Sequence, residues 1–238
     1  MLTASEVTDV LTEIFPLLRG GWIQKIQQPT DRTLVLDVRV PGQTHRLLIS
    51  CRPDSARLHV TTHSPANPPT PPPFCQFLRA HFQGARIDDI RQIGKDRIVE
   101  LQITGREGVH TIVCELTGNK ANILVLDAER RVLRDLTRQF RLAGQAYASP
   151  SQRNTDRETA PSRFADKVGD MFPVSEAIDA HYRQQEATHT IDRIKEERLR
   201  VLKKTLKKEQ RLIVAWGHDL SRVTAYRDYA RYGELLKA

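Results

Sequence analysis

The chain has 238 residues with a formal net charge of +8, and 39% of its residues are hydrophobic. This length suits one sizeable domain with an appendage. No apolar run approaches the roughly 20 residues of a membrane-spanning helix, and the acidic amino-terminal segment lacks the basic start of a secretory signal. We therefore expect a cytoplasmic protein without a membrane partner. The basic balance favours a polyanionic partner such as nucleic acid.

The positive charge is concentrated near the carboxyl end. Residues 190–238 hold 13 Lys and Arg against 7 Asp and Glu. A solvated helix face explains such a surplus, and a phosphate-binding surface is the alternative.

The three cysteines are Cys51, Cys75 and Cys114, an odd number with wide spacing and no CxxC pair. This pattern predicts buried, reduced thiols and neither a metal site nor a disulfide framework. We expect no cofactor.

A weak internal repeat organises the first 130 residues. Residues recur at an offset of 64–65 positions, and charged and polar residues recur along with apolar ones. The matching pairs include Gly20 and Gly84, Ile23 and Ile87, Asp31-Arg32 and Asp96-Arg97, and His45 and His110.

The first copy reads as a helix followed by four strands. Apolar residues at helical spacing, followed by Gly20-Gly21, predict a helix over residues 3–18. Pro41-Gly42 marks a turn between two strands. Alternating apolar residues predict antiparallel strands over residues 22–27, 33–40, 45–50 and 56–62.

Six prolines between Pro65 and Pro73 separate the copies. They predict a stiff connector, and a polyproline ligand for an SH3-type partner is the alternative. The second copy then predicts a helix over residues 74–82 and strands over residues 86–93, 97–103, 110–115, 121–127 and 132–136. We expect an α+β sandwich, in which two antiparallel sheets pack face to face with approximate two-fold symmetry.

The last part of the chain changes character. Residues 146–171 are polar and predict an exposed linker between the α+β domain, residues 1–145, and a helical region, residues 172–238. The two copies in that domain cover about residues 1–64 and 65–140. Ser175 is the expected N-cap of the helical region.

The helical region carries a coiled-coil pattern. Eight positions alternate at spacings of three and four residues, and seven are apolar: Leu199, Leu202, Leu206, Glu209, Ile213, Trp216, Leu220 and Val223. We refer to these as the seam. A seam needs a partner helix. The sequence leaves three alternatives open. The helix turns back near Gly217, it pairs with another chain (a homodimer or a different partner), or it belongs to the beginning of a longer protein.

Several segments, in this order, resemble the NFACT family. They are GGWIQKI at 20–26, ANPPTPPPFCQFLRAHFQGARI at 66–87, GKDRIVEL at 94–101, ELTGNKANILVLD at 115–127 and PVSEAIDAHYR at 173–183. The resemblance implies a fold like the amino-terminal domain of formamidopyrimidine-DNA glycosylases. It also implies a role in ribosome-associated quality control, with tRNA and the rRNA of the large ribosomal subunit as partners at stalled nascent chains. Some family members are named fibronectin-binding proteins.

The resemblance also implies site residues. The family's Asp-Arg motif, linked to tRNA recognition, falls on Asp96 and Arg97, and a second motif falls on residues 115–122. The expected tRNA-binding residues are Asp96, Arg97, Glu115, Asn119, Lys120 and Asn122. The basic run expected to contact rRNA phosphates is Lys203, Lys204, Lys207 and Lys208.

The chain departs from the family at three places. Thr117 stands where Met is usual, residues 119–121 replace a basic residue followed by His-Ser, and the polar linker occupies the place of a helix-hairpin-helix region.

The residues themselves leave plainer alternatives open. Arg97 suits a phosphate or a base, but Asp96 and Arg97 could also be an ordinary turn. Residues 118–120 suit a hairpin turn whatever else they bind.

The sequence predicts a binding protein and not an enzyme. It contains no HExxH, GxSxG or P-loop motif. A glycosylase of the resembling fold would use the amine of an N-terminal proline as its nucleophile, and here no proline precedes Pro16. The alternative function is a coiled-coil adaptor without an RNA role, which includes the fibronectin-binding type.

Overall fold

The structure is a computed structural model that describes residues 1–137, 143–150, 161–164, 167, 169 and 171–237. It divides into two compact units, Met1–Tyr182 and Arg183–Ala238. Much of the expected linker, including residues 151–160, lies outside the described residues.

The helices and strands predicted from the sequence are present, with bounds that shift by a few residues. The helices are α1 (Ala4–Leu18), α2 (Pro73–Phe82) and α3 (Pro173–Leu235). The strands are β1 (Trp22–Thr30), β2 (Thr33–Val40), β3 (Gln43–Ser50), β4 (Arg57–Val60), β5 (Arg86–Gln92), β6 (Ile98–Gly105), β7 (Gly108–Glu115), β8 (Asn122–Leu126) and β9 (Val132–Asp135). A short 3-10 helix, Gly118–Lys120, follows β7.

Helix α1 begins with a capping box. The Thr3 hydroxyl accepts the backbone N–H of Glu6 at 3.2 Å, and the Glu6 carboxylate accepts the backbone N–H of Thr3 at 2.8 Å. Two otherwise unpaired donors of the first turn are satisfied in this way. The apolar face of α1 is buried in the core through Val7, Val10, Leu11, Ile14 and Leu18.

The strands form one antiparallel sheet of nine, in the order β4-β3-β2-β1-β5-β6-β7-β8-β9. The expectation of two separate sheets is therefore wrong, although the α+β class and the antiparallel pairing are confirmed. The difference arises because the first strand of each copy pairs with the other, and this pairing joins the two halves edge to edge.

Equivalent residues of the two copies make equivalent hydrogen bonds where β1 pairs with β5. Gly20 donates to the carbonyl of Ile87 at 2.7 Å, and Gly84 donates to the carbonyl of Ile23 at 2.8 Å. Gly20 and Gly84 are equivalent in the repeat, as are Ile23 and Ile87, so each of these two hydrogen bonds is the counterpart of the other. Ile23 also donates to Ala85, and its counterpart Ile87 donates to Gly21, both at 2.8 Å. An approximate two-fold axis therefore passes between the two strands.

Both central strands carry an irregularity at the same repeat position. The register shifts between Ile23 and Lys25 in β1, and between Ile87 and Asp89 in β5. A bulge adds local twist to a strand. The same local twist is therefore expected in β1 and β5, on the two sides of the centre of the sheet.

One hydrophobic core contains side chains from both halves and from α1 and α2. Helix α1 contacts β5 of the second copy as well as β4 and β2 of its own, and α2 contacts β1 and β6. The thiols of Cys51, Cys75 and Cys114 are buried and unpaired, as predicted. The larger hydrophobic core is therefore shared by the two halves.

The start of α3 packs into the first unit. Helix α3 begins at Pro173, so Ser175 is not its N-cap. The Ser175 hydroxyl instead accepts the backbone N–H of Val60 and donates to the Glu13 carboxylate, which also accepts the backbone N–H groups of Val174 and Ser175. A glutamate of α1 thus satisfies the amino end of α3.

Part of the expected linker is also packed against the first unit. Phe164 is 6% exposed and belongs to the core. Arg163 makes an ion pair with the fully buried side chain of Glu6 at 2.7 Å. The prediction of an exposed segment is wrong at Phe164, whereas Arg163 is exposed and is held by a partner that lies far away in the sequence.

In the second unit, α3 continues as one helix through Gly217, so the alternative of a hairpin there is wrong. The apolar seam side chains are 52–73% exposed. In the part of the chain that the structure describes, no helix is long and apolar enough to cross a membrane.

Candidate nucleic-acid interface

The turn between β5 and β6 holds Asp96 and Arg97. The Asp96 backbone N–H donates to the carbonyl of Ile93, and its carboxylate accepts the backbone N–H of Arg97 at 2.7 Å. Gln92 closes the turn by donating to the Asp96 carbonyl at 2.7 Å. The carboxylate therefore fixes the shape of the turn.

The Arg97 guanidinium is half-buried and has donors to spare. Its contact with the Met1 sulfur measures 2.9 Å, and a thioether is only a weak acceptor. In the described ranges, no carboxylate lies within 4.0 Å of this guanidinium. An arginine of this kind is suited to a phosphate or the edge of a base.

Glu115 lies at the end of β7, beside the Asp96–Arg97 turn. The backbone N–H of the next residue, Leu116, donates to the Arg97 carbonyl at 2.8 Å. Burial raises the pKa of the Glu115 carboxyl, a hydrogen bond from the Tyr147 hydroxyl lowers it, and the nearby charge of Asp96 raises it further. The net result is a carboxyl with a raised pKa.

The 3-10 helix presents Asn119 and Lys120 to solvent. The preceding Gly118 has a φ of +72°, and a side chain at this position would meet the Met1 sulfur at 3.4 Å. The glycine thus permits both the turn and the close approach of Met1. The expected hairpin between β7 and β8 is confirmed.

Met1 links these elements. Its sulfur contacts Arg97 and lies close to Gly118, so the structure brings together Asp96, Arg97 and Glu115, with the exposed Asn119 and Lys120 on the adjacent 3-10 helix. Sequence reasoning missed Met1 and Tyr147. No local pattern points to either residue, because each reaches its partner from a distant part of the chain.

Asn122 does not join this group. Its side chain is 3% exposed, and its oxygen accepts the backbone N–H groups of Ile123 and Thr137. Its amide nitrogen donates to the carboxylate of Asp135 at 3.2 Å. The residue ties β8 to β9 and has no atom to offer a ligand.

The repeat supplies a counterpart to the Asp96–Arg97 turn. Asp31 and Arg32 occupy the turn between β1 and β2, and the Arg32 guanidinium donates to the carbonyl of Ala121 in the other half at 3.5 Å. Arg32 therefore bridges the two copies, whereas the Arg97 guanidinium contacts the Met1 sulfur.

The four lysines of the basic run lie in the second unit. They are exposed on α3, and their spacing puts Lys203 near Lys207 and Lys204 near Lys208. None of them forms an ion pair with a described residue. The run is a concentrated and uncompensated positive charge.

The sequence profile of the NFACT N-terminal and middle domains matches residues 4–166. The chain belongs to this family. The Rqc2 homolog RqcH of Bacillus subtilis is 32% identical over 185 residues, which are 73% of this chain and 31% of that protein. Ribosome quality control complex subunit 2 of Saccharomyces cerevisiae is 26% identical over 134 residues, or 56% of this chain and 12% of that protein. The matched regions span less than a third of these relatives.

Solved structures show the same fold. The amino-terminal domain of the fibronectin-binding protein PavA from Streptococcus pneumoniae has a TM-score of 0.59 and 26% identity, and the match covers 79% of this chain and 82% of that one. The amino-terminal part of a fibronectin/fibrinogen-binding protein from Streptococcus suis has a TM-score of 0.58 and 30% identity, with coverage of 63% and 61%. The likeness to glycosylases stays a prediction.

Proposed function

We propose that this NFACT protein is an RNA-binding module of ribosome-associated quality control, which binds tRNA and the large ribosomal subunit at stalled nascent chains. The proposal follows from family membership over residues 4–166, together with relatives named as ribosome quality control proteins. It describes a binding protein in a cytoplasmic process and not an enzyme.

The observation that carries the tRNA role is the Arg97 guanidinium, which has a sulfur contact and no carboxylate within 4.0 Å among the described residues. Arg97 would hold a phosphate or a base edge, and Lys120 would add charge from the adjacent 3-10 helix. Asp96 would act mainly through the turn, because its carboxylate already accepts the Arg97 backbone N–H. Asn122 would act only through packing.

Fluorescence anisotropy with labelled tRNA over a salt series tests this role. Arg97→Ala should weaken binding clearly more than Arg131→Ala, which removes an equal charge from an exposed position between β8 and β9. Equal affinities for the two variants, or no binding of tRNA at low salt, would exclude the proposed site.

The basic run on α3 would contact rRNA. Replacement of Lys203, Lys204, Lys207 and Lys208 by Ala should reduce co-sedimentation with large ribosomal subunits. Each lost phosphate contact should lower the slope of log affinity against log salt by about 0.7–0.9. An unchanged slope would show that these lysines form only a solvated face.

One observation favours a second function, that of a coiled-coil adaptor. The apolar seam residues on α3 are 52–73% exposed, and such a stripe normally packs against another helix. Sedimentation equilibrium should then detect a dimer that Leu206→Ala weakens. Val214→Ala is the matched control, since Val214 is 72% exposed and lies off the seam. A fibronectin pull-down tests the role for which the structural relatives are named.

A further inference from the structure

A cleft of about 590 Å³ lies where the start of β1 meets the end of α2 and the turn between β6 and β7, and its lining does not include Asp96 or Arg97. We call it the Trp22 cleft. Its walls include Trp22, Arg39, Arg79, His81 and Arg106. It combines an exposed aromatic ring with several cations, and none of these residues was assigned a role by the sequence.

Trp22 is 54% exposed, although it begins a strand at the centre of the sheet. Its neighbour Ile23 is fully buried and belongs to the core, so Trp22 lies on the opposite face of β1. In the described part of the chain, the indole packs against no other aromatic ring. The fold therefore leaves a large flat apolar surface open to a ligand.

The charge around the indole is positive and mostly uncompensated. Arg39 pairs with Trp22 across β1 and β2 and makes one weak side-chain hydrogen bond, to Thr44 at 3.4 Å. Arg79 is held by a 2.8 Å hydrogen bond from its Nε to the carbonyl of Ile26, and Arg106 lies exposed in the turn. Among the described residues, no carboxylate lies within 4.0 Å of these three guanidinium groups.

Within the described residues, the cleft residue His81 forms an ion pair with Glu107 at 2.9 Å, which compensates the histidine and not the arginines. The arginine donors remain available for an anionic ligand.

The internal repeat provides a comparison within the same molecule. The positions equivalent to Trp22, Gln24 and Arg39 in the second copy are Arg86, Asp88 and Thr104. Arg86 pairs with Asp88 at 2.8 Å, and Thr104 donates to the same carboxylate at 2.5 Å. The second copy therefore satisfies its own polar groups where the first copy presents an open ring and an open arginine.

We propose that the Trp22 cleft binds an unpaired segment of RNA, with a base stacked on the Trp22 indole and the flanking phosphates held by Arg39, Arg79 and Arg106. This inference rests on the proposed RNA-binding function and adds a single-stranded contact to it. Stacking platforms flanked by basic side chains are how proteins hold single strands without reading their sequence. An acidic peptide would engage the arginines but would leave the indole without a planar partner.

Intrinsic fluorescence tests this directly, because the chain has only two tryptophans. In a Trp216→Phe background, Trp22 is the sole tryptophan, and excitation selective for tryptophan isolates its emission from that of the tyrosines. Titration with a 12-nucleotide oligouridine should quench its emission to saturation. Trp22→Ala, followed with an end-labelled oligouridine, should weaken binding about 5- to 150-fold, the range expected for one lost stack. Trp22→Phe should retain part of the affinity.

The salt dependence of binding tests whether the arginines contact phosphates. Arg39→Ala combined with Arg106→Ala should lower the slope of log affinity against log salt by about 1.4, which corresponds to two phosphate contacts on a single strand. Arg131→Ala, an exposed charge outside the cleft, is the control. Circular dichroism of each variant verifies that the sheet is intact.

The possible outcomes distinguish the cleft proposal from the proposed function and from binding of an acidic protein. Quenching by oligouridine that depends on Arg39 and Arg106 supports the cleft. If tRNA still binds in an Arg97-dependent way but oligouridine neither quenches Trp22 nor distinguishes the variants from Arg131→Ala, the cleft proposal is wrong and the proposed function stands. Equal quenching by oligoglutamate assigns the cleft to acidic protein instead. Binding of neither RNA removes both proposals.

Discussion

Replacement of Arg163 by Ala tests how firmly residues 161–164 are attached to the first unit. The Glu6 carboxylate accepts three hydrogen bonds from Arg163, from the backbone N–H at 3.2 Å, from Nε at 2.7 Å and from Nη2 at 3.1 Å. The Glu6 side chain is fully buried, whereas that of Arg163 is 47% exposed. The variant removes two charge-assisted bonds and leaves a buried carboxylate with fewer donors.

The expected loss of stability is about 2–3 kcal/mol. A hydrogen bond to a charged group contributes about 1.5–3 kcal/mol, and we take the low end because solvent screens a half-exposed arginine. For a unit of this size, each kcal/mol lowers Tm by about 2–4 °C. Urea unfolding at neutral pH measures the difference, and Lys167→Ala is the control because Lys167 is exposed on the same segment.

The pH dependence gives a second check on the same variant. Burial raises the pKa of Glu6, but the hydrogen bonds from Arg163 and Thr3 outweigh it and hold the pKa below the ordinary 4.5. The stabilisation is therefore complete above the unfolded pKa and is lost as the pH falls through the folded pKa. The difference in the free energy of unfolding between wild type and Arg163→Ala should therefore become smaller under acid conditions. A loss of stability no larger than that of Lys167→Ala at pH 7, or one that does not change with pH, would show that the contacts between Arg163 and Glu6 do not stabilise the folded chain.

Three further predictions concern other parts of the first unit. Glu115→Gln should stabilise the protein by up to about 1 kcal/mol at pH 7 in urea unfolding, because the raised pKa of Glu115 weakens stability as the pH rises. This advantage should be lost towards acid pH, and a variant of unchanged stability would argue against the burial of Glu115 and the effect of the nearby Asp96 charge. Gly21→Ala should cost about 1–3 kcal/mol, since its Cβ would lie 2.6 Å from the Val38 side chain, whereas Gly217→Ala has open space and should not lower Tm. Burial raises the pKa of Cys51 to about 12, so a thiol reagent should label it only after denaturant is added, and rapid native labelling would contradict the buried site.

The sequence predicts most of the secondary structure, because alternating apolar residues such as those of β2 and β7 record which side of a strand faces the core. It does not predict that the halves share one sheet. The bonds that join them at Gly20, Gly84 and Ala85 are main-chain bonds, and they leave no pattern in the side chains.

The site was only partly predictable for a related reason. Arg97 directly precedes β6 and Glu115 ends β7, and these two strands pair, so strand order alone brings the two residues together. Asn122 follows the exposed Asn119 and Lys120 by two to three positions, but it faces inward from the first position of β8. Met1 and Tyr147 reach the site from distant segments, which no local spacing could reveal.

The crosswise placement of α1 and α2 bears on how this architecture could have arisen. Each helix contacts strands of both copies, and α2 packs mainly against β1 of the other copy. Pairs of chains that exchange an identical element show related contacts. An ancestral gene for a single copy would then have produced a subunit that folds only as a pair, and fusion through a proline-rich joint would have made the pairing permanent. Cleavage within the exposed residues 66–70 should accordingly yield two fragments that stay associated and separate only when both unfold.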